Sequence, residues 1–504
     1  MDVKCLSFGI EIPNSDWERT PPSVKELVEK MGQRIKQSEK ELAEKEAQNQ
    51  ELLEKINRTS NNSSSFPSAD PPSAEKPQKK NKSGKKRGGQ AGHKGHSRFL
   101  YEPSECEEVL NHHPETCRCC GEGLKGEDAL PYRHQIVEIP PFKPIVIEHR
   151  LHQLMCDNCG AFTRAMLPAD VNPSGYGTRV VALVAVLSGL YRHSQRMVQS
   201  AMSDVFGIPM SLGTVNKLRF EASSALARIV EEAKTYVQNS RVVGADETSF
   251  HQGNVDGCNE KNTQAWLWVM VTPLVAFFEI TLSRCTQTAK NLLGENFSGI
   301  FNSDRYASYN WVGLAQRQLC WAHLKREFIK ISERTGVSKQ IGEDLLKFEE
   351  ELFKLWYQVR DGTLKRCEFQ LKVQSIRNEI KSCLLEAANY EVGYKENTPF
   401  AKTVRTCRQI LKVEPALWLF VTVEGVEPTN NAAERAIRPA VIWRRTSFGS
   451  QTQAGSTFVS RMLTVVTSLK FQRRNVLEFM TLAVGAQRDG TSAPCLLPFV
   501  KQAL

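Results

Sequence analysis

Three acidic residues stand in settings that suit phosphoryl-transfer chemistry. Asp246 follows the apolar run in VVGADETSF, Asp304 follows a second run in GIFNSDRYASYN, and Glu434 lies in the helix-like segment EPTNNAAERAIRP. Such carboxylates hold two divalent cations roughly 4 Å apart, and the cations clamp the attacking and leaving oxygens of a phosphodiester. Hard oxygen ligands favour Mg²⁺. The three acids therefore predict a site with two Mg²⁺ or Mn²⁺ ions, in which they are both catalytic residues and metal ligands.

The segments around these acids predict an α/β core. RVVGADETSF, AWLWVMVT and LVAFFEITL read as strands, because they are rich in β-branched and aromatic residues. TQTAKNLLGENF reads as a short helix, GIFNSD as a fourth strand, and RQLCWAHLKREFIKI as a fifth strand that runs into a helix. Residues 334–425 predict a helical insertion. Thr429 or Asn430 is expected to cap the helix of Glu434, and Pro439 to limit it.

The three acidic segments, with CWAHLKREF between the second and the third, closely resemble the transposases of the insertion-sequence sixty-six family. The resemblance runs from about residue 98 to near the C-terminus and implies an RNase H-like catalytic core with a DDE metal site, over residues 241–333 and 426–485. In that fold the strands of Asp246 and Asp304 are neighbours.

The implied activity is metal-dependent DNA strand cleavage and strand transfer at the ends of an insertion sequence. Double-stranded DNA, as terminal inverted repeats and as target, is then the substrate, and accessory proteins encoded by the element are implied partners. Cys320 and His323 match a C-x-x-H element of the family. They are interpreted as a core cysteine and a positioning histidine near the scissile phosphate. Glu247 and Asp256, near the first motif, are interpreted as bystanders.

Two Cys pairs predict a structural zinc site. Cys117 and Cys120 form one C-x-x-C, Cys156 and Cys159 form another, and a glycine follows each pair. Four thiolates give the closed tetrahedral coordination of structural zinc. Cys119, inside CRCC, competes with Cys120 as a ligand. The intervening YRHQIVEIPPFKPIVIEHRLHQ predicts two strands, and hence a zinc ribbon over residues 106–168.

The N-terminal part predicts a helix and then a tether. Residues 22–58 carry apolar residues at alternating spacings of four and three, which favours a coiled coil and a homo-oligomer. A solitary amphipathic helix packed on the body is the alternative. Residues 59–98 predict a disordered linker. Within it, residues 70–98 hold nine Lys or Arg and two acids, or +7 of the net charge of +10. Non-specific attraction to DNA phosphates is expected there, at Lys85, Lys86 and Arg87 among others.

Further DNA contacts are predicted on helices. Residues 176–240 read as wholly helical, with a helix, a turn at Gly207 and a second helix from Ser211. This pattern fits a helix-turn-helix and an ordinary helical hairpin equally well, and the resemblance favours DNA binding. Lys217 and Arg219 would lie on the recognition helix. The remaining candidates for phosphate contacts, each of which could also be an ordinary exposed helix charge, are Arg435, Arg438, Arg444 and Arg445.

Composition restricts the function classes. The longest apolar run, from Val180, is shorter than the roughly 20 residues that span a bilayer, and the N-terminus lacks the pattern of a signal peptide. These features predict a cytoplasmic protein without a membrane partner. Its 14 cysteines would sit in a reducing compartment, which favours metal over disulfide. A catalytically inactive DNA-binding protein that uses only the zinc ribbon and helix-turn-helix is the alternative, although it has no need for the three acids.

Overall fold

The computed structural model describes residues 3–5, 11–63 and 98–498. Most of the predicted linker, with Lys85, Lys86 and Arg87, lies outside the described residues. The chain divides into two units, of which one comprises residues 75–145 and the other comprises the remainder.

A long helix dominates the N-terminal part. The short strands β1 (Val3–Cys5) and β2 (Glu11–Pro13) pair antiparallel, and α1 (Asn14–Arg19) and α2 (Pro22–Ile56) follow. Pro22 starts α2, where its missing N–H would have had no helical partner. The predicted single helix is confirmed. Along its seam, Val24, Met31, Ile35, Leu42, Leu52 and Ile56 are 42% to 69% exposed.

The cysteine segment has less sheet than predicted. β3 (Gln153–Met155) and β4 (Phe162–Arg164) form an antiparallel hairpin whose turn carries Cys156 and Cys159. The prediction of two strands across residues 132–153 was wrong, since no strand is assigned from Pro131 to His152. Three prolines at positions 140, 141 and 144 interrupt that segment, and proline has no N–H to donate to a sheet.

Four helices precede the sheet, as α3 (Thr178–Gly189), α4 (Gln195–Asp204), α5 (Leu212–Ala225) and α6 (Ala227–Gln238). Ser194 caps α4 and Ser211 caps α5 by accepting a backbone N–H. Gly207, with φ +66°, allows the sharp turn between them. The turn at Gly207 and the start of the second helix at Ser211 were predicted from the sequence. The four helices share one hydrophobic core with the sheet and the C-terminal helices.

A five-stranded mixed sheet follows. Its strands are β5 (Val242–Phe250), β6 (Ala265–Val271), β7 (Ala276–Thr281), β8 (Ile300–Ser303) and β9 (Arg317–Leu319), with α7 (Thr286–Leu293) between β7 and β8. The spatial order is β7-β6-β5-β8-β9. β5, β6 and β7 pair antiparallel, whereas β8 and β9 continue the sheet parallel to β5. The elements occur in the order predicted from the sequence.

A helical insertion builds a second hydrophobic core. It contains α9 (Val337–Asp361), α10 (Arg366–Asn389), α11 (Pro399–Lys412) and α12 (Leu419–Thr422), and it shares this core with α8 (Trp321–Ser332), which precedes it. Within this core Trp321 packs edge-on against Trp418, and Trp356 packs edge-on against Phe420. Arg334, just after α8, pairs with Glu54 of α2 at 3.2 Å.

Three helices complete the chain, as α13 (Asn431–Ser447), α14 (Gln453–Phe471) and α15 (Val476–Asp489). The prediction that Pro439 limits the helix of Glu434 was wrong, because α13 continues through it to Ser447. Proline removes one helical hydrogen bond. The burial of Ala440, Val441 and Trp443 keeps the second half of α13 on the body.

α14 covers the outer edge of the sheet. Thr464 Oγ1 accepts the backbone N–H of Phe278 at 2.9 Å, and Ser468 Oγ accepts that of Ala276 at 3.0 Å. Both donors belong to β7 and point away from β6. Among the described residues, no helix is both long enough and apolar enough to cross a membrane.

Candidate active site

The sheet register places Asp246 beside Asp304. β5 and β8 run parallel, with Val243 opposite Phe301 and Gly244 opposite Asn302. Two residues further along each strand come Asp246 and Asp304. The structure therefore brings these two acids together, as the resemblance implied.

Backbone donors orient both aspartates. The N–H of Glu247 donates to Asp246 Oδ1 at 2.9 Å, and the N–H of Tyr306 donates to Asp304 Oδ1 at 2.9 Å. The carbonyl of Asp304 accepts from Arg317 Nη2 at 2.9 Å. The two carboxylates are thus held by the chain on which they sit, before any ligand is considered.

Asn430 fixes the start of α13 against β5. Its side-chain Nδ2 donates to the carbonyl of Ala245 at 2.6 Å, and its backbone N–H donates to Cys320 Sγ at 3.2 Å. A Cβ atom at Gly244 would lie 2.9 Å from Asn430 Oδ1, so only glycine leaves room for this contact. Asn430 occupies the N-cap position as predicted, but its side chain makes no capping hydrogen bond. That side chain is used to bind β5 instead.

Glu434, in the first turn of α13, meets residues from α8. Its Oε1 lies 3.6 Å from His323 Nδ1 and 3.4 Å from Arg326 Nη2. Potential metal-ligating atoms of Cys320, His323 and Glu434 all lie within 4.8 Å of one another. The predicted supporting residues are therefore beside the third acid. Sequence reasoning missed Arg326, although its spacing of three from His323 puts both on one helix face.

Electrostatics couple the three acids. Burial raises the pKa of Asp246 well above its usual range, and the charges of Glu247, Asp304 and Glu434 raise it further. Burial lowers the pKa of His323, and the positive charge of Arg326 lowers it a little further. Like charges held close together favour a cation between them. Because the donors are carboxylate oxygens, the site fits a hard divalent cation.

The four predicted arginine contacts on α13 fall into two groups. Arg435, Arg438 and Arg445 are exposed. Arg444 is half-buried, and its Nη1 donates to Thr248 Oγ1 at 2.8 Å and to the Ser249 carbonyl at 2.6 Å. Arg444 therefore binds the end of β5 in this structure.

The two candidates on α5 also differ. Lys217 is exposed, whereas the guanidinium of Arg219 stacks on Phe458 of α14 at 4.3 Å from the ring centre. Burial lowers the pKa of Arg219 to about 10. Lys217 is thus placed to meet a ligand, and Arg219 is placed to hold two helices together.

Each Cys pair forms a tight turn. Gly121 N–H donates to the Cys117 carbonyl at 2.9 Å, and Gly160 N–H donates to the Cys156 carbonyl at 2.8 Å. Backbone N–H groups from Cys120 and Cys119 lower the pKa of Cys117. Those from Cys159 and Asn158 do the same for Cys156. Thiols that deprotonate more easily suit metal binding.

The sequence matches three protein-family models. A family model described as the transposase IS66 family matches residues 174–457, more than half of the 504 residues. The chain belongs to this family. A model of the zinc-finger binding domain of transposase IS66 matches residues 114–160, and a family of unknown function matches residues 19–99. Membership of the IS66 family supports a transposase and DNA-binding role, and the zinc-finger match supports zinc binding.

Two relatives come from Sinorhizobium fredii. Uncharacterized protein y4qI is 27% identical over 411 residues, which cover 76% of this chain and 72% of the relative. Uncharacterized protein y4hP is 26% identical over 398 residues, which cover 73% of this chain and 69% of the relative. The similarity therefore extends well beyond the segment that contains the three acids.

Proposed function

We propose that this member of the IS66 family is an active DDE transposase that cleaves and joins DNA strands in a metal-dependent reaction. One observation carries the proposal. The parallel register of β5 and β8 sets Asp304 beside Asp246, and Asn430 holds the start of the Glu434 helix against Ala245, the neighbour of Asp246 on β5. The strand order β7-β6-β5-β8-β9 supports an RNase H-like core. Residues 334–425 would be an insertion into that core.

In this proposal Asp246, Asp304 and Glu434 hold two Mg²⁺ or Mn²⁺ ions. When bound, such ions would activate the attacking oxygen and stabilise the leaving oxygen of the phosphodiester. The chain orients the DNA through His323 and Arg326, which lie beside Glu434. No covalent enzyme intermediate is needed, since a 3′-hydroxyl freed by the first cleavage attacks the target strand.

Cleavage of labelled DNA that carries the sequence flanking this gene tests the proposal. The wild type is expected to nick or join strands with Mg²⁺ or Mn²⁺, and Asp246→Asn to bind the same DNA without cutting it. Asp256→Asn is the matched control, because Asp256 is an exposed acid whose partners are backbone N–H groups of Cys258 and Gln453. Equal binding with no cleavage by either the wild type or Asp246→Asn would favour a DNA-binding protein without catalytic activity.

DNA binding would use the helix–turn–helix and the exposed cations of α13. We expect Lys217→Ala to weaken DNA binding severalfold and to lower the salt dependence of log K by about one charge. Arg219→Ala should instead leave DNA affinity nearly unchanged and lower thermal stability, because losing the stack on Phe458 removes about 1–2 kcal/mol of stability. Salt-dependent fluorescence anisotropy and thermal unfolding separate the two effects. A larger loss of DNA affinity in Arg219→Ala at unchanged stability would contradict this assignment.

Two further parts of the proposal concern assembly. Cys117, Cys120, Cys156 and Cys159 would bind one structural zinc ion, as the zinc-finger match over both pairs supports. The exposed seam of α2 would pair with a second copy as a coiled coil, because an apolar stripe of this length favours burial. Metal analysis of the purified chain tests the first. Light scattering before and after removal of residues 1–58 tests the second.

A further inference from the structure

Glu247 carries a buried charge that strand cleavage does not use directly. It follows Asp246 on β5, and its side chain is 2% exposed. A buried carboxylate is costly unless opposite charge and hydrogen bonds satisfy it. Arg284 donates to Oε1 from Nε at 3.0 Å and from Nη2 at 2.6 Å, and the hydroxyl of Tyr309 donates to Oε2. Glu247, interpreted from the sequence as a bystander, is thus one half of a buried ion pair beside Asp246.

Aromatic rings hold the other half of this ion pair. The guanidinium of Arg284 lies 3.7 Å from the ring centre of Tyr306 and 4.4 Å from that of Trp266. Both distances are within the range of a cation–π interaction. The carbonyl of Arg284 also accepts from the hydroxyl groups of Tyr306 at 3.1 Å and Ser308 at 2.7 Å. Backbone and side chain of Arg284 are thus tied to the segment that follows Asp304.

The same residues reach the two aspartates through their backbones. Glu247 supplies the N–H that binds Asp246, and Tyr306 supplies the N–H that binds Asp304. A shift of either side chain would move the donor that orients an acid. We call this set the Glu247 network, which comprises Glu247, Arg284, Tyr306 and Tyr309.

We propose that the Glu247 network positions the metal ligands, by fixing the carboxylates of Asp246 and Asp304 and by holding the Arg284 cation on Glu247. This inference rests on the proposed function. A released guanidinium beside two carboxylates would bind them through paired hydrogen bonds, and it would compete with a divalent cation for the same oxygens. Glu247 therefore keeps the two acids available for metal.

Mn²⁺ binding to the full-length, zinc-loaded chain tests the inference without DNA or turnover. Free Mn²⁺ is measured by electron paramagnetic resonance during titration. Glu247→Gln is expected to weaken Mn²⁺ affinity about tenfold, which is typical for loss of a residue that orients metal ligands. The double variant Glu247→Gln/Arg284→Gln should recover most of the affinity, because the competing cation is gone. Tyr309→Phe is the second variant, for use if Glu247→Gln does not fold. It should weaken Mn²⁺ affinity severalfold, which is less than the effect expected of Glu247→Gln.

Glu414 offers a matched control in the helical insertion. Its side chain is 7% exposed and binds Arg377 through two hydrogen bonds of 2.7 and 2.9 Å. Glu414→Gln should lose comparable thermal stability and keep wild-type Mn²⁺ affinity. Wild-type affinity in both Glu247→Gln and Tyr309→Phe would overturn the inference and leave the network a structural role. Equal Mn²⁺ binding by wild type and Asp246→Asn would instead overturn the metal site, and the inference with it.

Discussion

Glu434→Gln is expected to abolish strand cleavage, by roughly a thousandfold or more, while DNA binding becomes severalfold tighter. The first effect follows because an amide is a poorer ligand for a hard divalent cation than a carboxylate. The second follows because Arg326 loses the acid that lies 3.4 Å away, and its positive charge then acts on DNA phosphate alone. Single-turnover cleavage and anisotropy titrations measure the two quantities.

Glu427→Gln is the control for this result. Glu427 is exposed and lies seven residues before Glu434, so the substitution removes the same charge from the same region. Its carbonyl, which accepts from Asn302 Nδ2 at 2.9 Å, is unchanged by the substitution. Cleavage should stay near the wild-type rate. If Glu434→Gln also cuts at that rate, then Glu434 does not belong to the reacting site.

Gly342→Ala is expected to destabilise the insertion by about 2–3 kcal/mol. Gly342 is a buried residue of α9, and a Cβ there would lie 2.3 Å from the backbone N of Ser332 and 2.6 Å from its Cα. Backbone atoms of α8 cannot rotate away as a side chain can, so the two helices would have to separate. Urea unfolding and hydrogen exchange across α8 and α9 would measure the loss.

Gly213→Ala provides the opposite expectation. Gly213 is also helical, but a Cβ there would meet only Ser211 Oγ at 3.7 Å. Replacing an uncrowded helical glycine with alanine stabilises a helix by up to about 1 kcal/mol. If Gly342→Ala were as stable as Gly213→Ala, then α8 and α9 would not be in close contact at Gly342. Because α8 carries His323 and Arg326, Gly342→Ala should also reduce strand cleavage.

The sequence was most informative where local pattern determines structure. Runs of β-branched and aromatic residues marked β5 to β7, and the turn at Gly207 separated α4 from α5. Adjacency of Asp246 and Asp304 was predicted only through the resemblance, because the pairing of β5 with β8 joins segments more than 50 residues apart. The zinc-binding segment shows the limit of periodicity, since three prolines outweighed an alternating pattern.

Contacts between distant segments could not be predicted from the sequence. Asn430 was predicted as a helix cap, yet it binds Ala245, 185 residues away. Arg219 was predicted as a DNA contact on the recognition helix, yet it stacks on Phe458. Glu247 was interpreted as a bystander because its partners, Arg284 and Tyr309, lie 37 and 62 residues away in the sequence. In each case the side chain's role depends on which residue faces it across the core.

The cover over the edge of β7 has a consequence for synthesis on the ribosome. The N–H group of Phe278 is bonded by Thr464, which is made 186 residues later, and the insertion must emerge in between. Until α14 arrives, that edge offers unpaired donors to any other extended chain. Nascent copies on neighbouring ribosomes are thus exposed to mispairing for the whole of that interval. A yield of folded protein that depends on translation rate and on chaperones is the expected result.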